Sequence, residues 1–228
     1  MTGMPEQPRY YPIMLDLRGK RCVVIGGGQV ALRKVEGLVE AGAEVTVIAP
    51  NLLPMPAAVT VVQRAYQPGD IAGAMLVIAA TDDRQQNERV AREAEARRIW
   101  VNVADDPTNC SVIFPSVVRR GALCLAIATG GASPAFARRL RERLEGEFGP
   151  EYGALVELLH ALRRAWEPRA KAARLPGAAR QQAWEEVLNL PLLDWLRAGD
   201  VAAAERAAQT VLNAALERHS HSPAEQGE

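Results

Sequence analysis

Short apolar runs alternate with amphipathic stretches over residues 20–113. Five runs have the length and composition of buried strands, and they lie at 21–25, 44–49, 59–63, 74–80 and 99–103. Residues 29–41 carry apolar side chains at helical spacing, and the charged stretch 84–98 is also typical of a helix. Apolar strands that alternate with helices indicate a parallel sheet covered on both faces. The pattern therefore predicts an α/β, Rossmann-like domain over residues 1–113.

The pattern changes near residue 111. Strands are expected at 111–114, 117–119 and 123–128, with a turn at Arg120–Gly121. No long helix separates these strands, so we expect an antiparallel arrangement rather than another parallel unit. A helix follows over about 133–147.

The chain from Pro150 onward is helical in pattern, with breaks expected at Pro168, Pro176–Gly177 and Gly199. We therefore predict four regions. They are the sheet domain at 1–113, a small antiparallel region at 114–149, a helical domain at 150–218 and a disordered tail at 219–228.

The overall charge is balanced, with 27 basic and 27 acidic residues among 228. Net charge therefore predicts no nucleic-acid partner, and the longest apolar stretches are too short to span a membrane. The distribution is uneven, because residues 114–180 hold 12 basic and 6 acidic residues, a net charge of +6. This excess fits either the solvated face of a helical segment or a basic wall for a substrate with several carboxylates.

The cysteine and histidine residues do not indicate a catalytic or metal-binding cluster. Cys22, Cys110 and Cys124 are odd in number and lack CxxC spacing, which fits a reducing cytoplasm and no structural zinc. His160 lies in a helical pattern, and two further histidines lie near the end of the chain. We expect no metal site.

The first strand runs directly into a glycine-rich turn, GGGQVA at 26–31. This is a G-x-G-x-x-A pattern with a strand before it and a helix after it, as dinucleotide binding requires. Gly26 permits the tight turn, Gly28 lets the backbone approach a pyrophosphate, and Ala31 keeps helix and strand close. Free amide groups at the start of the helix attract the phosphates.

The second strand lacks the acidic residue that usually holds the ribose hydroxyls of NAD. It ends in Ala49-Pro50-Asn51, and no arginine follows immediately to hold the 2′-phosphate of NADP. The motif alone leaves the choice between NAD and NADP open.

Ligands of open parallel sheets lie beyond the carboxyl ends of the strands. Thr81 follows the fourth strand and Asn102 lies in the fifth, so both are candidates to line the nicotinamide side of a cleft. Asp105 is the preferred general base. Asp106 precedes proline, where such residues commonly build a turn, and Asp82–Asp83 are expected to cap the next helix.

Several segments, taken together, resemble the precorrin-2 dehydrogenase family, which forms the dehydrogenase–ferrochelatase part of sirohaem synthases. The resemblance covers residues 10–150. Its segments are PIMLDL (12–17), CVVIGGGQVALRK (22–34), EAGAEVTVIAP (40–50), IAATDD (78–83), NVADDP (102–107), SVIFPS (111–116) and ATGGASPAFARRLRE (128–142).

The resemblance implies an NAD-dependent oxidation of precorrin-2 to sirohydrochlorin by a homodimer joined through residues 111–129. Some members of the family also insert ferrous iron. Asp105 matches the catalytic aspartate, and the family binds NAD with the same Ala-Pro end to the second strand. The positions that match cofactor contacts are Gln29, Val30, Pro50 and Asn51.

The resemblance also indicates where the substrate binds. Thr129 matches a position that is a phosphorylatable serine beside the macrocycle in some members, and Ser133 lies in the same segment. The basic stretch 114–180 suits a polycarboxylate, and we expect contacts from Arg119, Arg120, Arg138 and Arg139. The alternatives are a non-enzymatic NAD-sensing regulatory domain and a different dehydrogenase.

Overall fold

A computed structural model describes residues 10–220, and the chain divides into two compact units. The first contains the chain up to Pro115 together with Ala128–Ser133. The second contains Ser116–Ile127 and the chain from Pro134 onward. None of the helices in the described residues is long and apolar enough to cross a membrane.

The first unit is built on a five-stranded sheet in which all neighbouring strands are parallel. The strands are β1 (Arg21–Ile25), β2 (Glu44–Ile48), β3 (Thr60–Val62), β4 (Leu76–Ala79) and β5 (Trp100–Val103). Their order across the sheet is β3-β2-β1-β4-β5, so the chain reverses direction across the sheet between β1 and β4.

Two helices, α1 (Gln29–Glu40) and α2 (Arg84–Ala96), cover opposite faces of this sheet. Alternate residues of β1 face opposite ways, so Cys22 and Val24 pack with α1 while Val23 and Ile25 pack with α2. The predicted Rossmann-like sheet is therefore confirmed, with strand and helix limits within about two residues of those expected.

The strand expected at 111–114 is wrong, because this segment is irregular. Ser111 and Val112 both donate their backbone N–H to the same carbonyl oxygen, that of Val101, at 2.9 and 3.2 Å, and the other hydrogen bonds to β5 involve the side chains of Ser111 and Asn102. A strand ladder needs repeated pairing, and Pro115 then lacks a donor to continue it.

The second unit contains the predicted antiparallel pair, β6 (Ser116–Arg120) and β7 (Leu123–Ile127), joined by a tight turn. Five helices complete it: α3 (Pro134–Glu147), α4 (Glu151–Ala172), α5 (Gly177–Leu188), α6 (Leu192–Arg197) and α7 (Val201–Ser220). The predicted combination of a parallel sheet, a small antiparallel region and a helical region is confirmed.

Pro168 does not break its helix, contrary to expectation, because α4 continues through it to Ala172. Trp166 and Ala170, on either side of the proline, are buried in the helical core, and this packing offsets the missing backbone hydrogen bond. Pro176 and Gly199 do bound helices, as predicted. Helix α7 extends to Ser220, and the rest of the predicted disordered tail lies outside the described residues.

The glycine turn between β1 and α1 is packed tightly on two sides. A Cβ atom on Gly26, whose φ is +125°, would lie 2.2 Å from the carbonyl oxygen of Ala80. A Cβ atom on Gly27 would lie 2.1 Å from the carbonyl oxygen of Asn51. Gly28 differs, since a Cβ atom there would meet nothing within 4 Å. The first two glycines are therefore required by the fold and the third is not.

We expect Gly27→Ala to lower the free energy of unfolding by about 1–3 kcal/mol, since the loop after β2 must move away from the new methyl group. Gly28→Ala, with an ordinary φ of −83°, should stay within about 1 kcal/mol of the wild type. Chemical denaturation of both variants measures this difference, and equal losses would contradict the packing argument.

Candidate dinucleotide and catalytic site

The carboxyl ends of three adjacent strands bring the predicted site segments to one edge of the sheet. Backbone hydrogen bonds continue beyond the strands, with Ala80 N–H donating to Ile25 (2.8 Å) and Ala104 N–H donating to Ala79 (2.8 Å). The glycine turn, Thr81 and Asp105 therefore follow neighbouring strands at the same edge. The first two flank the point where the strand order reverses, which is where such sheets bind ligands.

The start of α1 has the properties of a phosphate site. The first N–H group bonded within the helix is that of Leu32, which donates to Gly28 (2.9 Å), and no side chain caps this end. In the described chain, the N–H groups of Gln29, Val30 and Ala31 have no acceptor. Unpaired N–H groups beside the open space at Gly28 fit the pyrophosphate of a dinucleotide.

The loop after β2 lies against the glycine turn. Leu53 donates its backbone N–H to the carbonyl oxygen of Gly27 at 2.9 Å. Pro50 and Asn51 are both exposed beside it, and their contacts with the cofactor stay predictions. No charged residue occurs between residues 45 and 63, so this loop offers neither a carboxylate to ribose hydroxyls nor a cation to a 2′-phosphate.

Thr81 is held by a buried amide that the sequence interpretation missed. Asn87 is only 6% exposed, and its Oδ1 accepts hydrogen bonds from the Oγ1 (2.7 Å) and backbone N–H (3.2 Å) of Thr81. Its Nδ2 donates to the carbonyl oxygen of Thr81 at 2.9 Å. The signal was present, because Asn87 is the polar member of an otherwise apolar helical stripe with Val90, Ala91 and Ala94.

Asn102 is a structural residue in this geometry. It is 9% exposed, and its Nδ2 donates to the carbonyl oxygen of Val112 at 3.0 Å. The amide thus ties β5 to the returning chain. Its predicted contact with the cofactor stays a prediction that this geometry does not favour.

The two aspartates after β5 have different environments. The carboxylate of Asp106 accepts hydrogen bonds from Thr108 Oγ1 and from Asn109 Nδ2 (2.8 Å). These two hydrogen bonds hold the pKa of Asp106 below its usual range, which makes it a weak base. Asp83 is likewise occupied, because it caps α2 by accepting from the N–H of Gln86, as predicted.

Asp105 is exposed and has a φ of +59°, in the left-handed region that few residues other than glycine adopt. Within residues 10–220, no hydrogen bond or ion pair engages its carboxylate. It is therefore the carboxylate of this turn that is available to a ligand, and its role as the general base stays a prediction.

Lys34 is a half-buried cation on α1 that the sequence analysis did not select. Its Nζ lies 4.2 Å from the centre of the Phe114 ring, a cation–π contact. Burial, followed by the charge of Arg33, lowers the pKa of its ammonium group. The described residues contain no cluster of three or more His, Cys, Asp or Glu side chains that would hold a metal ion.

Thr129 and Ser133 belong to one turn of the first unit. Thr129 Oγ1 accepts the backbone N–H of Ser133 at 3.2 Å, and Ala132 N–H donates to the carbonyl oxygen of Thr129 at 3.0 Å. Both side chains are partly exposed. Their proposed contact with substrate stays a prediction.

The four candidate arginines, all in the second unit, divide into two groups. Arg120 donates from Nε to the carbonyl oxygen of Phe148 (2.8 Å) and from Nη2 to that of Glu145 (2.9 Å), which satisfies the end of α3. This contact is structural and removes the support for Arg120 as a substrate ligand. Arg119 and Arg139 are exposed, and Arg138 makes only a 4.0 Å contact with Glu142.

Three family models match the chain in succession. A putative NAD(P)-binding model matches residues 13–116, the central region of sirohaem biosynthesis proteins matches 120–147, and a sirohaem synthase dimerisation region matches 151–212. The last match lies in the helical part of the second unit. The dimer contact that we expected at 111–129 thus stays a prediction, and the helices are a second candidate.

The chain is also similar to curated siroheme synthases. It is 40% identical over 214 residues to that of Methylobacillus flagellatus, covering 91% of this chain and 45% of the relative. It is 41% identical over 210 residues to that of Nitrosococcus oceani, covering 90% of this chain and 44% of the relative. The chain therefore spans less than half the length of these relatives.

A solved structure named SirC, precorrin-2 dehydrogenase, has the same fold. Its TM-score to this chain is 0.64 at 23% sequence identity, and the alignment covers 92% of this chain and 99% of SirC. Three matched models in order, relatives at about 40% identity and a shared fold lead to one conclusion. The chain belongs to the family that shares the NAD(P)-binding, central and dimerisation regions of sirohaem synthases.

Proposed function

We propose that this chain oxidises precorrin-2 to sirohydrochlorin with NAD, in sirohaem biosynthesis. In the balanced reaction, precorrin-2 loses a hydride and a proton, and NAD⁺ becomes NADH. The observation that carries the proposal is the unengaged carboxylate of Asp105 at the same sheet edge as the glycine turn. The identity of the substrate is inferred from the similarity to siroheme synthases.

The glycine turn and the start of α1 would hold the cofactor. The N–H groups of Gln29, Val30 and Ala31 suit the pyrophosphate, and the loop at Pro50–Asn51 would contact the adenosine ribose. Bound NAD supplies the hydride acceptor. The protein contributes orientation and a place for the proton.

Asp105 would accept the proton that leaves as the macrocycle becomes conjugated. A general base must reach its substrate, and Asp105 is exposed and unpaired in the described chain. Asp106 lacks this freedom, because Thr108 and Asn109 hold its carboxylate in the turn.

The exposed arginines of α3 would bind the carboxylates of the macrocycle. Arg138 and Arg139 are adjacent and exposed, so neither needs to leave a buried contact to reach an anion. Arg119 on β6 is also exposed. The proposal places the reaction in the cytoplasm, where reduced thiols are normal, because Cys22, Cys110 and Cys124 are all free.

A regulatory domain that only senses NAD would need the glycine turn but no free base beside it. Asp105→Asn therefore tests the enzyme proposal directly. General-base loss commonly costs about 10²–10⁴-fold in rate, so single-turnover oxidation of precorrin-2 should slow by that factor. NAD affinity and thermal stability should change little, because Asp105 touches neither the glycine turn nor the core.

Asp106→Asn is the matched control, and we expect turnover within about tenfold of the wild type, since asparagine also supports such a turn. Circular dichroism checks the folding of both variants. A greater loss in Asp106→Asn than in Asp105→Asn would show that the base is wrongly assigned.

We expect NAD to give a higher kcat/KM than NADP, because the loop after β2 has no cation to hold a 2′-phosphate. Steady-state kinetics with each cofactor measures this preference. Equal efficiency with NADP would contradict the cofactor assignment.

Gly28→Ala should raise the Kd of NAD at least about tenfold, a cost of about 1.4 kcal/mol, since a methyl group would occupy the space offered to the pyrophosphate.

Reversing the charge of both Arg138 and Arg139 to glutamate should raise the KM for precorrin-2 about tenfold or more and leave the Kd of NAD unchanged. Arg206→Glu, on an exposed site of α7, is the control for net charge. An unchanged KM in the double variant would reject the basic-wall interpretation.

Arg120→Met should instead lower the melting temperature, because the carbonyl groups at the end of α3 lose their donor.

We further propose that the chain forms a homodimer, which the match to a sirohaem synthase dimerisation region supports. Sedimentation at micromolar concentration should give twice the mass of one chain. Leu188, an apolar side chain on α5 that is 58% exposed, provides a test of the helical surface, since Leu188→Glu would weaken an interface there. A monomeric mass for the wild type would contradict the proposal.

A further inference from the structure

The turn that carries Asp105 has an unfavourable backbone conformation. It spans Val103–Asp106 and leads into a short 3-10 turn at Pro107–Asn109. Asp105, at φ +59°, occupies a region that costs an ordinary residue on the order of 1 kcal/mol. The groups that hold this turn therefore help to determine where the Asp105 carboxylate lies.

The thiol of Cys110 lies against both ends of the turn. Its Sγ lies 3.1 Å from the backbone N of Val103 and accepts that N–H. The same sulfur lies 3.3 Å from the carbonyl oxygen of Val103 and 3.2 Å from that of Asp106. Burial raises the pKa of the Cys110 thiol, so the sulfur keeps its proton and donates it to one of these carbonyl groups.

Neighbouring side chains fix the sulfur itself. Asn102 Nδ2 lies 3.6 Å from Cys110 Sγ and 3.0 Å from the carbonyl oxygen of Val112. Ser111 Oγ accepts the backbone N–H of Val101 at 2.8 Å. Residues 110–112 are therefore anchored to β5, and the thiol transmits that anchorage to the turn.

We propose that Cys110 is the positioning residue for Asp105. Its thiol joins the start and end of the turn and thereby holds the Asp105 carboxylate in the position from which it accepts the substrate proton. Cys110 does not touch the substrate and acts only through Asp105. The inference rests on the proposed oxidation, in which Asp105 is the base.

The kinetic test compares two substitutions at this position. Cys110→Val substitutes a somewhat larger apolar side chain for the thiol and removes the hydrogen bonds, and we expect kcat to fall about 10- to 100-fold with little change in the KM of either substrate. Cys110→Ser retains a donor and an acceptor and should recover most of the lost activity. A loss that is equal in the two variants would overturn the proposal.

A double-mutant cycle shows whether Cys110 acts through Asp105. In the Asp105→Asn background, Cys110→Val should cause almost no further loss, because the group that it positions no longer acts as a base. The same fold-loss in both backgrounds would mean that Cys110 acts independently of Asp105, and would overturn the proposal.

Hydrogen–deuterium exchange gives a readout that does not depend on turnover. Amides of residues 103–110 should exchange faster in Cys110→Val, while those of β1 and β4 stay protected. Cys22→Val, in the core at the opposite end of β1, is the control and should leave kcat and the exchange of residues 103–110 unchanged. Unchanged exchange at 103–110 in Cys110→Val would overturn the positioning role.

The two proposals fail in different ways. If the wild type does not oxidise precorrin-2 with NAD, the proposed function is wrong, and the exchange measurement still decides whether Cys110 holds the turn. If the wild type is active and Cys110→Val matches it, only the positioning role is wrong.

Discussion

The close approach of the glycine turn to its neighbouring strands is the constraint on which the site depends. Gly26 lies against the carbonyl oxygen of Ala80, and Gly27 lies against that of Asn51, with no room for a Cβ atom at either position. The turn after β1 is therefore wedged between the loops that follow β2 and β4. This packing leaves Gly28 and the start of α1 as the part of the turn that faces open space.

Buried amides and a thiol fix the remaining loops at this edge. Asn87 holds the backbone of Thr81, Asn102 holds Val112, and Cys110 holds the two ends of the Asp105 turn. Each of these groups makes hydrogen bonds to backbone atoms of a loop that follows a strand. Because they are used in this way, they do not compete for a ligand, and the exposed carboxylate of Asp105 stays available.

The sheet and its helices were predictable because strand periodicity, the glycine motif and helix stops all agree over residues 20–113. Two expectations failed where tertiary contacts outweigh local pattern. The apolar segment 111–114 looks like a strand but has no repeated partner, and Pro168 is retained inside α4 by the packing of Trp166 and Ala170. Neither the missing strand partner nor the packing around Pro168 can be recognised from the local sequence.

Among the candidate site residues, sequence position predicted proximity better than orientation. The parallel strands necessarily bring Thr81, Asn102 and Asp105 to one edge, but the direction of each side chain depends on hydrogen bonds made over several residues. Asn102 turns toward Val112 for this reason. The charge of Arg120 is likewise not free to bind a ligand, since its guanidinium donates hydrogen bonds to carbonyl groups at the end of α3. A net charge therefore overstates the number of cations that are free to bind a substrate, and the count has to be made from unengaged side chains.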